Sequence, residues 1–223
     1  MKKIVVIGAG TMGNGITHVF AQNGFKVTMI DISMEALEKA KNTIASNLDR
    51  MVKKEAINEE TKQATLANIS ISTSLADSGA DADMMVEAAS ERMDIKLKIF
   101  MEADQILPAH AILASNTSSI SITKIASASR RPDKIIGMHF MNPVPVMKLV
   151  EVIRGYATSD ETTTTIMDLS RKLGKSPVEV NDYPGFIANR ILMPMINEAI
   201  YSLYEGVAGV GEIDTVMKLG MAH

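Results

Sequence analysis

The chain has 223 residues, of which 22% are charged, and its 23 Lys and Arg against 26 Asp and Glu give a net charge of −3. This composition excludes a disordered, collagen-like or polybasic nucleic-acid-binding chain. Cysteine is absent, which excludes disulfides and thiolate-bound metal and fits a reducing cytoplasm. The apolar run after Met1-Lys2-Lys3 is too short for a signal peptide or a membrane span, so we expect a soluble, unprocessed chain.

Short runs rich in Val and Ile alternate with helical patterns, and this alternation predicts βαβ units around a parallel sheet. The class is therefore α/β, with a doubly wound, Rossmann-type sheet in a dinucleotide-binding domain over residues 1–182. Eight strands are expected at about residues 2–8, 26–31, 69–73, 84–89, 111–115, 134–140, 147–153 and 177–181.

The first strand leads into a glycine-rich segment that opens a helix. The segment contains Gly8, Gly10, Thr11, Met12 and Gly13. Glycines at this spacing allow a tight turn, close approach of the backbone to a pyrophosphate and close packing of helix on strand. In this context the pattern predicts a dinucleotide site, against the alternative that the glycines serve packing only.

An acidic residue follows the second strand, where Asp31 lies 18 residues after Gly13. A carboxylate at this place accepts hydrogen bonds from ribose hydroxyls and repels a 2′-phosphate. No arginine follows it closely, so we expect NAD as the cofactor in preference to NADP.

The segment 33–68 is too long for a single crossover helix. Its first part has the period of an amphipathic helix, and a second helix is expected to open at Asn58. We predict a helical hairpin that projects from the sheet with Lys53 near its tip. The alternative for Lys53 is a solvated helix end.

Polar residues stand at the carboxyl ends of the predicted strands, where open α/β sheets bind ligands. Glu91 follows the fourth strand, Asn116 and Ser118 follow the fifth, and His139 follows the sixth. The run that contains Asn116 and Ser118 has an alternative interpretation, a helix cap, which we weigh most heavily for Ser119. No two histidines have the spacing of metal ligands, so no metal site is expected.

The connection that follows His139 is too short for a parallel crossover, so the next strand is expected to run antiparallel. Pro145 is six residues from both His139 and Glu151. A symmetric turn would bring these two side chains opposite each other, with roughly 5 Å between their Cβ atoms. A carboxylate beside an imidazole suits a general acid and base for an alcohol proton, and the alternative is an ordinary ion pair on a sheet surface.

Strand patterns end near residue 183, and a helix with a long apolar face begins near Phe186. Pro194 predicts a kink in this helix, and a second helix is expected near residues 212–219. So few residues cannot bury such a face alone. We expect residues 183–223 to be the start of an all-helical C-terminal domain that is truncated here. In its first helix, Asn189 either is exposed or points at the sheet.

With these residues identified, the sequence resembles the L-3-hydroxyacyl-CoA dehydrogenase family over its whole length. The matching stretches are 6–13, 115–119, 138–152 and 182–190. The resemblance implies NAD-dependent interconversion of 3-hydroxyacyl-CoA and 3-ketoacyl-CoA in fatty acid or butyrate metabolism. It also implies a homodimer that forms through the helical C-terminal region.

The resemblance assigns roles to individual side chains. His139 would be the acid and base with Glu151 as its partner, and Ser118 and Asn189 would hold the reacting oxygen of the substrate. The residues implied to line the cofactor are Glu91, Lys96 and Asn142, and those implied to contact CoA are Ser46 and Lys53.

Two other functions remain open on the sequence. The first is a dinucleotide-binding protein without catalytic activity, against which the full set of Ser118, His139, Glu151 and Asn189 argues. The second is a β-hydroxyacid dehydrogenase that acts on a free acid, which would be expected to use a catalytic lysine and has no need of the long hairpin.

Overall fold

A computed structural model describes residues 1–223 and contains a single eight-stranded sheet. All eight predicted strands are confirmed, with ends that differ by a few residues. The strands are β1 (Lys3–Ile7), β2 (Lys26–Ile30), β3 (Ile69–Ser72), β4 (Met84–Glu87), β5 (Ile112–Ser115), β6 (Ile135–Phe140), β7 (Leu149–Arg154) and β8 (Ser176–Asn181).

The strand order across the sheet is β3-β2-β1-β4-β5-β6-β7-β8. The strands β1 to β6 are parallel, in the order 3-2-1-4-5-6 of the doubly wound fold. β7 is antiparallel to β6, and β8 is parallel to β7. The order in which strands are added to the sheet reverses between β1 and β4, so the loops at their carboxyl ends border the crevice where this fold binds ligands.

Eight α-helices accompany the strands. They are α1 (Thr11–Gln22), α2 (Met34–Lys53), α3 (Glu59–Ala67), α4 (Met93–Ile106), α5 (Ile122–Ala126), α6 (Asp160–Lys172), α7 (Ala188–Tyr204) and α8 (Val210–Gly220). Side-chain caps define several helix starts, since Ser33, Asn58 and Ser159 each accept a hydrogen bond from a backbone N–H in the first turn. The main core lies between the sheet and α1, where Phe20 is fully buried.

The helices α2 and α3 form the predicted hairpin, and Lys53 is the last residue of α2. The buried face of α2 contains Leu37, Ala40, Ile44 and Leu48, as its apolar period indicates. Ile44 and Leu48 belong to the main core cluster. The hairpin is therefore anchored on the body of the domain over most of α2.

The chain divides into two compact units, residues 1–183 and residues 184–223. The second unit consists of α7 and α8, and Pro194 lies inside α7. Neither helix contains a buried residue, and most of their large apolar side chains are exposed, among them Ile191, Ile200 and Leu219. None of the helices in either unit is both long enough and apolar enough to cross a membrane.

Candidate active site

Two glycines of the glycine-rich loop, Gly8 and Gly13, leave no room for a larger side chain. Gly8 has a φ of 107°, and a Cβ there would lie 2.5 Å from the carbonyl oxygen of Ala88. A Cβ at Gly13 would lie 1.9 Å from the oxygen of Gly8, so the helix packs directly on the loop. At Gly10 a Cβ would meet nothing within 4 Å. Gly10 therefore borders open space at the start of α1, where free backbone N–H groups favour an anion.

The carboxylate of Asp31 is held in a fixed orientation at the end of β2. Its Oδ2 accepts a hydrogen bond from the N–H of Ala9 at 2.8 Å, and its Oδ1 accepts one from Ser33 at 3.1 Å. These bonds tie Asp31 to the glycine loop, beside the space into which Gly10 opens. A ribose diol is the group that a carboxylate in this place recognises.

Two cavities meet at Asp31. The larger has a volume of about 650 Å³, and among its lining residues are Gly10, Thr11, Asp31, Lys39 and Asn142. The smaller has a volume of about 340 Å³ and mostly apolar walls, which include Ile7, Ile30, Leu75 and Ile95. An apolar slot on one side of a carboxylate and a glycine loop on the other fit a planar base, a ribose and a pyrophosphate in sequence. The residues present thus fit a dinucleotide. Met12 packs against the main core cluster, and its contact with the cofactor stays a prediction.

His139 and Glu151 are register partners on the antiparallel strands β6 and β7, so the pairing predicted from the turn is confirmed. Nδ1 of His139 lies 2.9 Å from Oε2 of Glu151. His139 is 8% exposed and Glu151 2% exposed, so water screens the pair little. A carboxylate at this distance fixes the imidazole tautomer and stabilises the imidazolium.

Asn116 connects the end of β5 to the strand that carries His139. Its Oδ1 accepts a hydrogen bond from the N–H of Phe140 at 2.9 Å. The amide oxygen therefore fixes the position of the residue that follows His139. This bond places Asn116 beside the histidine at the carboxyl ends of β5 and β6.

Glu91 connects the loop after β4 to the loop after β5. Its Oε1 accepts hydrogen bonds from the hydroxyl of Thr117, from the N–H of Ser118 at 3.0 Å and from the hydroxyl of Ser119 at 3.0 Å. Partial burial would raise the pKa of Glu91, but these hydrogen bonds and the charge of Lys96 outweigh it and lower the pKa. Glu91 is therefore a fixed anion that holds the backbone at Ser118.

The helix-cap interpretation is wrong for Ser119, because the residue that caps α5 is Ser121. The hydroxyl of Ser121 accepts a hydrogen bond from Lys124 N–H and donates one to Asp182 at 2.7 Å. Asp182 also accepts hydrogen bonds from the backbone of Ile122 and Thr123. Nothing in the sequence pattern indicated this anchor, because Asp182 is about 60 residues away along the chain.

Lys96 is 1% exposed and pairs with two acidic residues at and after the carboxyl end of β4. Its Nζ donates to both carboxylate oxygens of Glu87, at 2.8 and 3.0 Å, and forms an ion pair with Glu91 at 3.1 Å. Glu87, the last residue of β4, also accepts hydrogen bonds from the hydroxyl of Ser115 and the N–H of Ala89. Glu87 was not among the predicted site residues, although a carboxylate inside an otherwise apolar strand is a signal for such a residue.

The remaining predicted residues lie on the helices. Ser46 lines an open polar groove of about 490 Å³ on α2 together with Lys39, Asn42 and Arg50. Lys53 is exposed at the end of the same helix. Asn189 is the second residue of α7, in the second unit. Its part in the chemistry stays a prediction.

The strand order, the glycine loop and Asp31 define a dinucleotide-binding α/β protein of the Rossmann type, and the buried His139–Glu151 pair adds an acid and base to it. Comparison with known proteins gives the family. Residues 3–183 match the family described as 3-hydroxyacyl-CoA dehydrogenase, NAD binding domain, and residues 185–223 match the description 3-hydroxyacyl-CoA dehydrogenase, C-terminal domain. The chain belongs to the 3-hydroxyacyl-CoA dehydrogenase family, and the resemblance, the fold class and NAD as cofactor are confirmed.

Individual relatives agree with this assignment. A protein of Bacillus subtilis named probable 3-hydroxybutyryl-CoA dehydrogenase is 52% identical over all of this chain and 77% of its own length. The crystal structure of an (S)-3-hydroxybutyryl-CoA dehydrogenase from Ralstonia eutropha superposes with a TM-score of 0.97 at 52% identity, over all of this chain and 78% of that one. The human mitochondrial hydroxyacyl-coenzyme A dehydrogenase is 42% identical over all of this chain and 73% of its length.

Proposed function

We propose that this chain interconverts (S)-3-hydroxybutyryl-CoA and acetoacetyl-CoA with NAD(H). The observation that carries the proposal is the buried pair of His139 and Glu151, 2.9 Å apart, at the same edge of the sheet as the glycine loop. The names of relatives that are about half identical support the choice of substrate. A dinucleotide-binding protein without activity has no use for such a pair.

His139 moves the proton of the substrate hydroxyl. Since Nδ1 is engaged by Glu151, the proton is exchanged at Nε2. In the reducing direction the imidazolium protonates the ketone oxygen, and Glu151 stabilises the imidazolium until then. Bound NAD supplies the hydride chemistry, which is the cofactor's own.

The reacting oxygen gathers negative charge before it is protonated, and polar groups aimed at it lower the barrier. We assign this part to Ser118 and Asn189. Ser118 is supported by the Glu91 bond to its N–H, which fixes the backbone that presents the hydroxyl. For Asn189 the support is its place in the stretch 182–190 that resembles the family.

The dinucleotide is assigned to the glycine loop, with Asp31 on the ribose and Asn142 in the wall of the same cavity. Lys96 acts on the cofactor site indirectly, because its ammonium is enclosed by the carboxylates of Glu87 and Glu91 and holds them in place. The CoA moiety is assigned to the outer face of α2, where Ser46 borders a groove and Lys53 lies two turns further on.

We further propose a cytoplasmic enzyme of butyrate or fatty acid metabolism that acts as a homodimer through its C-terminal region. The exposed apolar side chains of α7 and α8 support this association, because water is a poor partner for so many of them. The absence of cysteine agrees with a reducing compartment.

The oxidation of NADH, followed by its absorbance, tests the proposed function. Acetoacetyl-CoA should support rapid oxidation, while free acetoacetate and NADPH should be much poorer. Equal rates with the free acid would favour a β-hydroxyacid dehydrogenase. Tight NADH binding without turnover of any acyl-CoA would favour a binding protein.

A further inference from the structure

Lys175 is a buried cation that the proposed chemistry does not use. It precedes β8 and is 9% exposed. Its Nζ donates hydrogen bonds to the carbonyl oxygens of Val144 and Met147, the latter at 2.8 Å. Burial lowers the pKa of Lys175. Its partners are thus two backbone carbonyls, whereas Lys96 pairs with two carboxylates.

The two carbonyls belong to the segment 142–147 that joins β6 to β7, here called the cleft loop. Within it, the N–H groups of Val146 and Met147 both donate to the oxygen of Pro143. This turn leaves the oxygens of Val144 and Met147 to face Lys175. One ammonium with three donors can bridge both carbonyls, which a neutral side chain with a single donor cannot do.

The cleft loop forms one wall of the 650 Å³ cavity. Asn142, Pro143, Val144 and Pro145 line this cavity together with Gly10. On its inner side Val144 packs against α1 at Gly15, where a Cβ would lie 2.9 Å from the Cβ of Val144. The cleft loop therefore contacts α1 through Val144 and the ammonium of Lys175 through two carbonyl oxygens.

We propose that Lys175 is a positioning residue for the cofactor, which holds the cleft loop in the conformation that binds the dinucleotide. The proposal rests on the proposed use of NAD(H) by this chain. Lys175 touches neither cofactor nor substrate and acts through the two carbonyls. Its loss lets the wall relax and weakens dinucleotide binding, while the pair of His139 and Glu151 remains in place.

The test is a fluorescence titration of the full chain with NADH, combined with steady-state kinetics. In Lys175→Met the Kd for NADH should rise about tenfold, which is the scale of a hydrogen bond to a charged group. At saturating NADH, kcat and the KM for acetoacetyl-CoA should stay within about threefold of wild type. Lys175→Arg, which keeps the charge and several donors, should recover most of the affinity.

Lys172→Met is the matched control, because it removes an exposed lysine three residues earlier, at the end of α6. Its Kd for NADH should equal that of wild type. If Lys175→Met does not fold, Lys175→Gln takes its place. The same comparison then decides, namely a raised Kd for NADH with kcat close to that of wild type.

Three results would overturn the proposal. They are an unchanged Kd for NADH in a folded variant, a parallel fall of kcat and Tm with a rise of both KM values, and failure of both neutral variants to fold. Each would mean that Lys175 serves the core alone. A wild-type chain that neither binds NADH nor reduces acetoacetyl-CoA would instead refute the proposed function, so the two failures are distinguishable.

Discussion

Two histidines are buried in the first unit, and their surroundings are opposite in charge. His139, on β6, has the carboxylate of Glu151 2.9 Å from Nδ1. His18, on α1, is fully buried, and neither ring nitrogen has a hydrogen-bond partner. Burial and the nearby charge of Lys175 lower the pKa of His18 to about 4.

The difference shows what makes a buried imidazole useful. A ring beside a carboxylate can accept a proton, because the charge that forms is compensated at once. The ring of His18 has no carboxylate partner and is kept neutral first by burial and second by the charge of Lys175, so it behaves as a packing group near neutral pH. Burial alone therefore does not identify a catalytic histidine, whereas a carboxylate on a ring nitrogen does.

The largest difference between the two histidines is expected in turnover. His139→Ala should lower kcat between about a hundredfold and ten-thousandfold, because the proton donor to the ketone oxygen is lost. His18→Leu should leave kcat within about threefold. Both variants should bind NADH within a few-fold of wild type in a fluorescence titration. Joint loss of kcat and NADH affinity in His139→Ala would show that His139 is structural.

The partner of His139 should matter next most. In Glu151→Gln we expect kcat to fall about tenfold to a thousandfold, since the amide does not stabilise the imidazolium. The pH profile of kcat should change as well, because the negative charge beside Nδ1 is removed. Glu179→Gln, at an exposed glutamate on the adjacent strand β8, is the control and should change neither quantity. An unmoved profile in Glu151→Gln would argue against the pairing.

His18 should be visible in acid stability. Its pKa is lowered in the folded state from 6.5 to about 4. The free energy of unfolding is therefore highest above pH 6.5, where His18 is neutral in both states, and it falls as the pH falls towards 4, because the unfolded state binds the proton first. Over this window the free energy of unfolding should fall by about 2 kcal/mol more in wild type than in His18→Leu. Denaturant unfolding at several pH values measures how the free energy of unfolding depends on pH in wild type and in His18→Leu. The same dependence in both proteins would contradict the lowered pKa of His18.

The smallest effect should come from Lys175. Desolvation is the larger cause of the lowered pKa of His18, and the charge of Lys175 is the smaller one. The free energy of unfolding should therefore still fall between pH 6.5 and pH 4 in Lys175→Met. The fall should be smaller than in wild type but larger than in His18→Leu. An equal reduction in the two variants would mean that the charge dominates.

The strands, the glycine loop and the His139–Glu151 pairing could be predicted from sequence because each follows from local pattern. A short turn fixes the register of antiparallel strands, so counting from Pro145 sufficed. The partners of Glu87 and Lys175 and the surroundings of His18 could not be predicted in the same way. They come from other elements, and a polar residue within a helix or strand pattern gives no sign of what it will face.

The most direct test of the central claim is the single-turnover rate of NADH oxidation by acetoacetyl-CoA in His139→Ala, Glu151→Gln and the double variant. If Glu151 acts only through His139, the double variant should be no slower than His139→Ala alone. Losses that multiply in the double variant would contradict the account, because Glu151 would then serve the reaction independently of the histidine.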